Sequence, residues 1–284
     1  MVKLRVPAST ANLGPGFDSF GCALSLYNEY TFEKCDHLEI TGCPVEYCNE
    51  RNLTVVAIKK TLQAMDQPWE GLKMEVDAHI PVSSGLGSSA AMIVAGAKGA
   101  NALYGNPLSD QQLFELCTEM EGHPDNIAPA FFGGMTVSVM EQGKPLTVRF
   151  PVHPELRFLV LIPDFSLSTK MARSVLPQTI SRADAIFNES HAGLLTIALE
   201  RGDEALIRAA MQDRLHQPYR RSLIKDIDAV EKAAMEAGAI SFCISGAGPT
   251  CLCLTKDPTL AGRLQDHLST PNSRWKVLDL QIAE

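Results

Sequence analysis

Pro81-Val82-Ser83-Ser84-Gly85-Leu86-Gly87-Ser88-Ser89-Ala90-Ala91 is the stretch on which the reading of this chain turns. The segment before it, from Leu72 to Ile80, alternates apolar and polar residues as a strand does, and Ser88 to Leu103 after it is alanine-rich and helical in pattern. A strand, a glycine-rich loop and a helix in that order suit a phosphate chain. Glycines without a Cβ let backbone amides turn toward one point, and the helix that follows presents its free N–H groups and positive dipole end. Serine hydroxyls add donors or bind Mg²⁺. The loop lacks the Gly-Lys-Ser/Thr of a Walker motif, and Gly85 and Gly87 followed by Ala90 do not make a GxGxxG. A flexible serine-capped turn remains an equal reading on loop chemistry alone.

Working outward, Val2 to Val6 reads as a strand, Pro7 to Asp18 as a Gly/Pro-punctuated loop, and Leu24 to Phe32 as a second strand. Asn52 is placed to cap a helix over Leu53 to Met65, and another helix runs from Ser109 to Met120. Glu121-Gly122-His123-Pro124-Asp125-Asn126 then opens a short helix, with strands from Gly133 to Phe150. Composition changes at Pro151-Val152-His153-Pro154, which divides the chain into 1–151 and 152–284. The second part reads as a buried strand at Arg157 to Ile162 and helices at Arg182–Glu200, Asp203–Arg214 and Lys225–Ala237. Strands at Ile240–Ile244 and Thr250–Leu254, a helix at Leu260–Leu268 and a strand at Arg274–Ile282 complete it. Helices mixed with mostly hairpin-connected strands in both parts give an α+β class. Ser245-Gly246-Ala247-Gly248-Pro249-Thr250 echoes Ser84 to Ser89, and the echo reads as two separate close-backbone loops.

Composition narrows the field. The 284 residues are 45% hydrophobic and 20% charged, ordinary for one large or two smaller globular domains, which excludes collagen, coiled coil and disordered tails. A formal net charge of −8, with basic residues adjacent only in pairs such as Arg220 and Arg221, disfavours nucleic-acid and polybasic membrane binding. No apolar secretory stretch opens the chain, so folding is expected to begin at its first residue. The eight cysteines form no CxxC and the seven histidines no HExxH, so no zinc site is expected, and scattered thiols suit the reducing cytoplasm.

Three segments together resemble the GHMP kinases, which phosphorylate galactose, homoserine, mevalonate and phosphomevalonate. They are the Pro81 to Ala91 loop, Pro7-Ala8-Ser9-Thr10-Ala11-Asn12-Leu13-Gly14-Pro15-Gly16-Phe17-Asp18, and Ser245 to Thr250. Members acting on sugars and mevalonate carry a Lys or Arg after Pro-Gly, whereas Asn12 and Asp18 here are similar to the pattern of members acting on homoserine. The resemblance implies an N-terminal domain of ribosomal-protein-S5 type, a C-terminal ferredoxin-like domain, ATP and Mg²⁺ as cofactors, and L-homoserine as acceptor, a step of threonine biosynthesis. It places the ATP triphosphate at Pro81, Ser83, Ser84, Gly85, Leu86, Gly87, Ser88, Ser89, Ala90 and Ala91, and Mg²⁺ at Ser89 and Glu121. It assigns substrate binding to Asn12, Asp18, His123, Thr169, Arg173 and Arg220. In the reaction itself it implies Asp125 and His123 holding the substrate hydroxyl, with Arg173 beside the transferring phosphate. Gly246 to Thr250 would close the site. His37, His79, His153, His191, His216 and His267 are assigned to packing or surface.

The resemblance further implies a soluble cytoplasmic enzyme, with a homodimer as one assembly. Two other readings stay open. One is a kinase of the same family with a different hydroxylated acceptor. The other is a nucleotide-binding regulator that has lost catalysis, against which Ser88, Ser89, Glu121 and Asp125 stand intact.

Overall fold

The computed structural model describes residues 1–268, 270 and 272–284, and the side chain of His267 lies outside that description. The first part contains β1 (Val2–Ala11), β2 (Phe20–Lys34), β3 (Leu38–Thr41), α1 (Leu53–Ala64), β4 (Leu72–Asp77), α2 (Ser88–Leu103), α3 (Asp110–Glu121), α4 (Pro124–Phe132), β5 (Met135–Glu141) and β6 (Lys144–Phe150). After residues 151–156 come β7 (Arg157–Pro163), α5 (Thr169–Ser174), α6 (Arg182–Arg201), α7 (Glu204–Ala210), α8 (Gln217–Arg220), α9 (Ile227–Glu236), β8 (Ser241–Ile244), β9 (Cys251–Thr255), α10 (Leu260–His267) and β10 (Trp275–Leu280).

Strands before Pro151 build a six-stranded sheet, ordered β3-β4-β2-β5-β6 with β1 also paired to β2. Strands after Pro151 build a four-stranded antiparallel sheet, β10-β7-β9-β8. Its chain order, with helices between β7 and β8 and between β9 and β10, is the ferredoxin-like β-α-β-β-α-β arrangement. The short apolar runs Phe158 to Pro163 in β7 and Cys251 to Leu254 in β9 follow from burial on both faces. Phe158, Val160, Leu252 and Leu254 join the core that holds Leu195 and Leu199 of α6 and continues into the first part. Leu159, Leu161, Cys251 and Cys253 face Val230 and Ala234 of α9 and Leu260 and Leu264 of α10. The end of the chain returns to β2, where Ser25 N–H donates to the Gln281 carbonyl and Ala283 N–H to that of Ala23.

Two expectations are corrected. The Pro7 to Asp18 loop starts later than its prolines and glycines suggest, because β1 runs on to Ala11. The register against β2 jumps between Pro7 and Ala8, and a bulge is where a strand tolerates proline. The helix expected to reach Arg214 stops at Ala210, because the Asp213 carboxylate takes the N–H groups of Leu215, His216 and Gln217 and closes a turn there. Elsewhere, Asn52 caps α1 through Thr54 N–H, and α2 occupies Ser88–Leu103 as its periodicity predicts.

Candidate active site

A cavity of about 200 Å³ opens between the two parts. Its floor is the glycine-rich loop, which contributes Ser83, Ser84, Gly85, Gly87, Ser88 and Ser89. Gly87, at φ 67°, precedes α2 without a side-chain cap, so the first N–H groups of that helix have no capping side chain. Pro81 lies at the loop's entry, its carbonyl accepting from Ser84 Oγ at 2.8 Å. The side chains of Leu86, Ala90 and Ala91 are buried in the core, so these three residues serve the loop through backbone and packing.

The loops at 84–89 and 245–250 are not separate, as the sequence echo suggested, but packed backbone to backbone. Ser245 Oγ donates to the Gly85 carbonyl at 2.6 Å, and Thr250 N–H to the Ser84 carbonyl at 3.0 Å. Residues with small side chains or none are what permits that approach. Gly246, Ala247 and Gly248 thereby form the opposite wall of the cavity.

Ser89, near the start of α2, donates its hydroxyl to Glu121 Oε2 at 2.7 Å, and Glu121 is the last residue of α3. Two oxygen donors at the cavity, beside the buried Ser88 Oγ, which has no hydrogen-bond partner among the described residues, form a set that a hard cation such as Mg²⁺ accepts.

One turn further, His123 Nδ1 lies 2.6 Å from Asp125 Oδ1, which also accepts from Asn126 N–H at 2.9 Å. Asp125 is 1% exposed and its Oδ2 has no partner among the described residues. Burial works against a charged imidazole, but the hydrogen bond and charge of Asp125, with Glu121, outweigh it and raise the His123 pKa above its ordinary value. A raised pKa gives stability that is complete below about pH 6.5, the unfolded value, and lost as pH climbs through the folded one. The melting-temperature gap between the native chain and His123→Gln is therefore expected to shrink from pH 5.5 to pH 9. A gap that is flat or widens contradicts the ion pair.

Arg173, on α5, grips Asp18 with both arms of its guanidinium, Nη2 to Oδ1 at 2.7 Å and Nη1 to Oδ2 at 3.1 Å. Carboxylate oxygens of Asp18 and Asp125 and a ring nitrogen of His123 lie within 4.8 Å of one another. Asn12 is held at both ends: its Oδ1 accepts from Asp18 N–H at 2.7 Å and its Nδ2 donates to the Gly246 carbonyl at 2.9 Å. Thr169, the first residue of α5, also lines the cavity. Arg220 is 1% exposed, and burial together with Arg173 pushes its pKa down to about 10.

The structure thus brings the sequence-predicted residues to one place, with Asp18 reaching the cavity through Arg173. Sequence reasoning missed Asn126, whose Oδ1 accepts from Ser9 Oγ at 2.9 Å, although it stands in the same short motif as Asp125. It also missed Gly21, in β2, where a Cβ would sit 1.9 Å from the Asp125 carbonyl; nothing local in the sequence signals that approach. His216, set aside as packing or surface, is buried against Arg220. Its position four residues before that arginine was the available signal.

Comparison with known proteins shows the family. The family model described as "GHMP kinases N terminal domain" matches residues 52–134, and "GHMP kinases C terminal" matches 195–273. A homoserine kinase of Clostridium botulinum (strain Alaska E43 / Type E3) is 42% identical over 99% of this chain and 96% of its own length. One from Synechococcus sp. is 45% identical over 99% and 93%. The crystal structure of homoserine kinase from Cytophaga hutchinsonii superposes with a TM-score of 0.86 at 29% identity, covering 99% of this chain and 94% of that one.

Proposed function

The chain belongs to the GHMP kinase family, among its homoserine kinases, and from that we propose how its cavity phosphorylates L-homoserine with ATP. The reaction moves the γ-phosphoryl group of ATP onto the side-chain hydroxyl, giving O-phospho-L-homoserine and ADP, a step of threonine biosynthesis.

The observation that carries the substrate assignment is the Asp18–Arg173 pair beside Asp125 and His123. An α-amino acid zwitterion presents the complementary charges: its ammonium matches Asp18, and its carboxylate matches the guanidinium forks of Arg173 and Arg220. Asn12 braces this end and Thr169 adds a hydroxyl. Anchored there, the side-chain hydroxyl reaches Asp125 and His123. The 83–89 loop and the start of α2 bind the triphosphate through backbone N–H groups. Ser89 and Glu121 would hold Mg²⁺, which supplies neutralisation of phosphate charge when bound.

Asp125 acts by positioning. Oδ1 is occupied by His123 and Asn126 N–H, and the unpartnered Oδ2 accepts the substrate hydroxyl's hydrogen bond, turning its oxygen toward the γ-phosphorus. A primary alcohol holds its proton until bonding to phosphorus is well advanced, so orientation contributes more than early proton removal. Asp125→Asn keeps an oxygen acceptor and is expected to hold kcat within about tenfold while raising the homoserine KM. A fall of about 10⁴-fold in kcat would instead make Asp125 the base.

The same reading takes the chain as two domains, 1–151 and 152–284, supported by the division of the two sheets at Pro151. It also takes the enzyme as a cytoplasmic homodimer. Exposed Val139, Leu146 and Val148 on β5 and the edge strand β6 suit an assembly contact, and sedimentation at the monomer mass alone would remove the dimer. Among the described residues, no helix is long and apolar enough to cross a membrane. Incubation with MgATP and L-homoserine, followed by ³¹P NMR, tests the reaction. A phosphomonoester signal on the side-chain oxygen is expected, and an acyl phosphate or free phosphate alone would refute it.

A further inference from the structure

Arg220 can offer five N–H donors, and the protein uses three of them. Nε donates to the Ala172 carbonyl at 3.3 Å, and Nη1 donates to the Gly246 carbonyl at 3.0 Å and to His216 Nδ1 at 3.3 Å. Nη2 has no hydrogen-bond partner among the described residues, and Arg220 lines the cavity. Three bonds fix the plane of the guanidinium, and the remaining edge is left for an anion.

Of those three acceptors, only the imidazole depends on its proton state. His216 Nε2 lies 3.0 Å from the Gly14 carbonyl, and a carbonyl only accepts, so Nε2 carries the hydrogen. A neutral ring then leaves Nδ1 as a lone pair facing Arg220. Burial and the Arg220 charge favour that neutral state, with Asp213 Oδ2 at 3.7 Å pulling the other way. The ring is clamped by stacking on Phe17, centroids 5.3 Å apart, and its backbone by the Asp213 carboxylate. That carboxylate accepts from the N–H groups of Leu215, His216 and Gln217 and from Asn188 Nδ2. These bonds use both oxygens of Asp213 to build the turn rather than to charge the imidazole.

We propose that His216 is a positioning residue for homoserine recognition: its Nδ1 lone pair, held by Gly14, Phe17 and the Asp213 turn, orients the Arg220 guanidinium toward the substrate carboxylate. The proposal rests on the reading of Arg220 as a ligand of that carboxylate.

Two substitutions of similar size and polarity separate this role from a packing role. Asparagine places its amide near the position of Nδ1 and keeps an acceptor for Arg220, whereas glutamine reaches toward Nε2 and keeps the donor to Gly14. His216→Gln is expected to raise the homoserine KM about tenfold and His216→Asn by no more than about threefold, with the ATP KM unchanged in both. Equal effects, or a native-like Gln beside an impaired Asn, overturn the proposal. On an Arg220→Ala background, His216→Gln is expected to add nothing further, because it acts through the missing group; additive effects also overturn it. Arg220→Ala with a native homoserine KM would instead defeat the carboxylate reading on which the proposal stands.

Discussion

Gly85→Val is expected to reduce kcat/KM at least about a thousandfold while leaving most of the secondary structure in place. Gly85 has φ +89°, where an L side chain is strained, and the Cβ would meet the Ser245 carbonyl oxygen at 2.4 Å and the Gly248 carbonyl oxygen at 2.9 Å. Both obstacles are backbone and cannot swing aside as a side chain could. The substitution must part the two loops, breaking the Ser245 Oγ bond to Gly85 and the Thr250 bond to Ser84. The cavity wall formed by Gly246 to Gly248 then moves away from the phosphate loop. Gly105→Ala isolates the backbone term: φ is +83° but nothing lies within 4 Å of the added carbon. That control is expected to lose about 1 kcal/mol of stability and to keep its turnover. Comparable activity in the two variants would show that contact between the loops does not matter.

The second large effect is expected at Arg173. Arg173→Ala removes the cation opposite Asp18 and leaves a 34% exposed carboxylate beside Asp125, so the site loses a substrate contact and gains like-charge repulsion. The homoserine kcat/KM should fall about a thousandfold, with the ATP KM moving by no more than about threefold. Arg173→Lys restores charge without the planar fork and should recover only part of the loss. An ATP KM that rises in step with the homoserine KM would place Arg173 on the nucleotide instead.

How much of this was legible in the sequence depended on whether the cause was local. The bounds of α2 and the Asn52 cap of α1 were readable because periodicity and capping are properties of adjacent residues. Loop chemistry alone pointed to phosphate binding at 81–91, and the individual site residues came from the resemblance carried by the segments at 7–18, 81–91 and 245–250. Long-range causes were not readable. The two glycine loops interlock across about 160 positions, through a bond between Gly85 and Ser245 that neither segment announces. Gly21 precedes the strand expected to start at Leu24, and nothing near it announces the Asp125 carbonyl that packs against it in β2. Asp213 ends a helix-like pattern by capturing three backbone N–H groups, and a carboxylate in sequence does not reveal which amides it will hold. The spacing of His216 four residues before Arg220 was a local signal of contact, but the state of its Nδ1 depends on Gly14, some two hundred residues away, holding the other nitrogen.

The most direct test of the central claim is ADP release from MgATP by the purified protein, with L-homoserine, L-serine, L-threonine, mevalonate and galactose offered as separate acceptors. Turnover selective for L-homoserine is expected, with O-phospho-L-homoserine formed in step with ADP. Faster turnover with another acceptor, or none with any of them despite measurable MgATP binding, would contradict it.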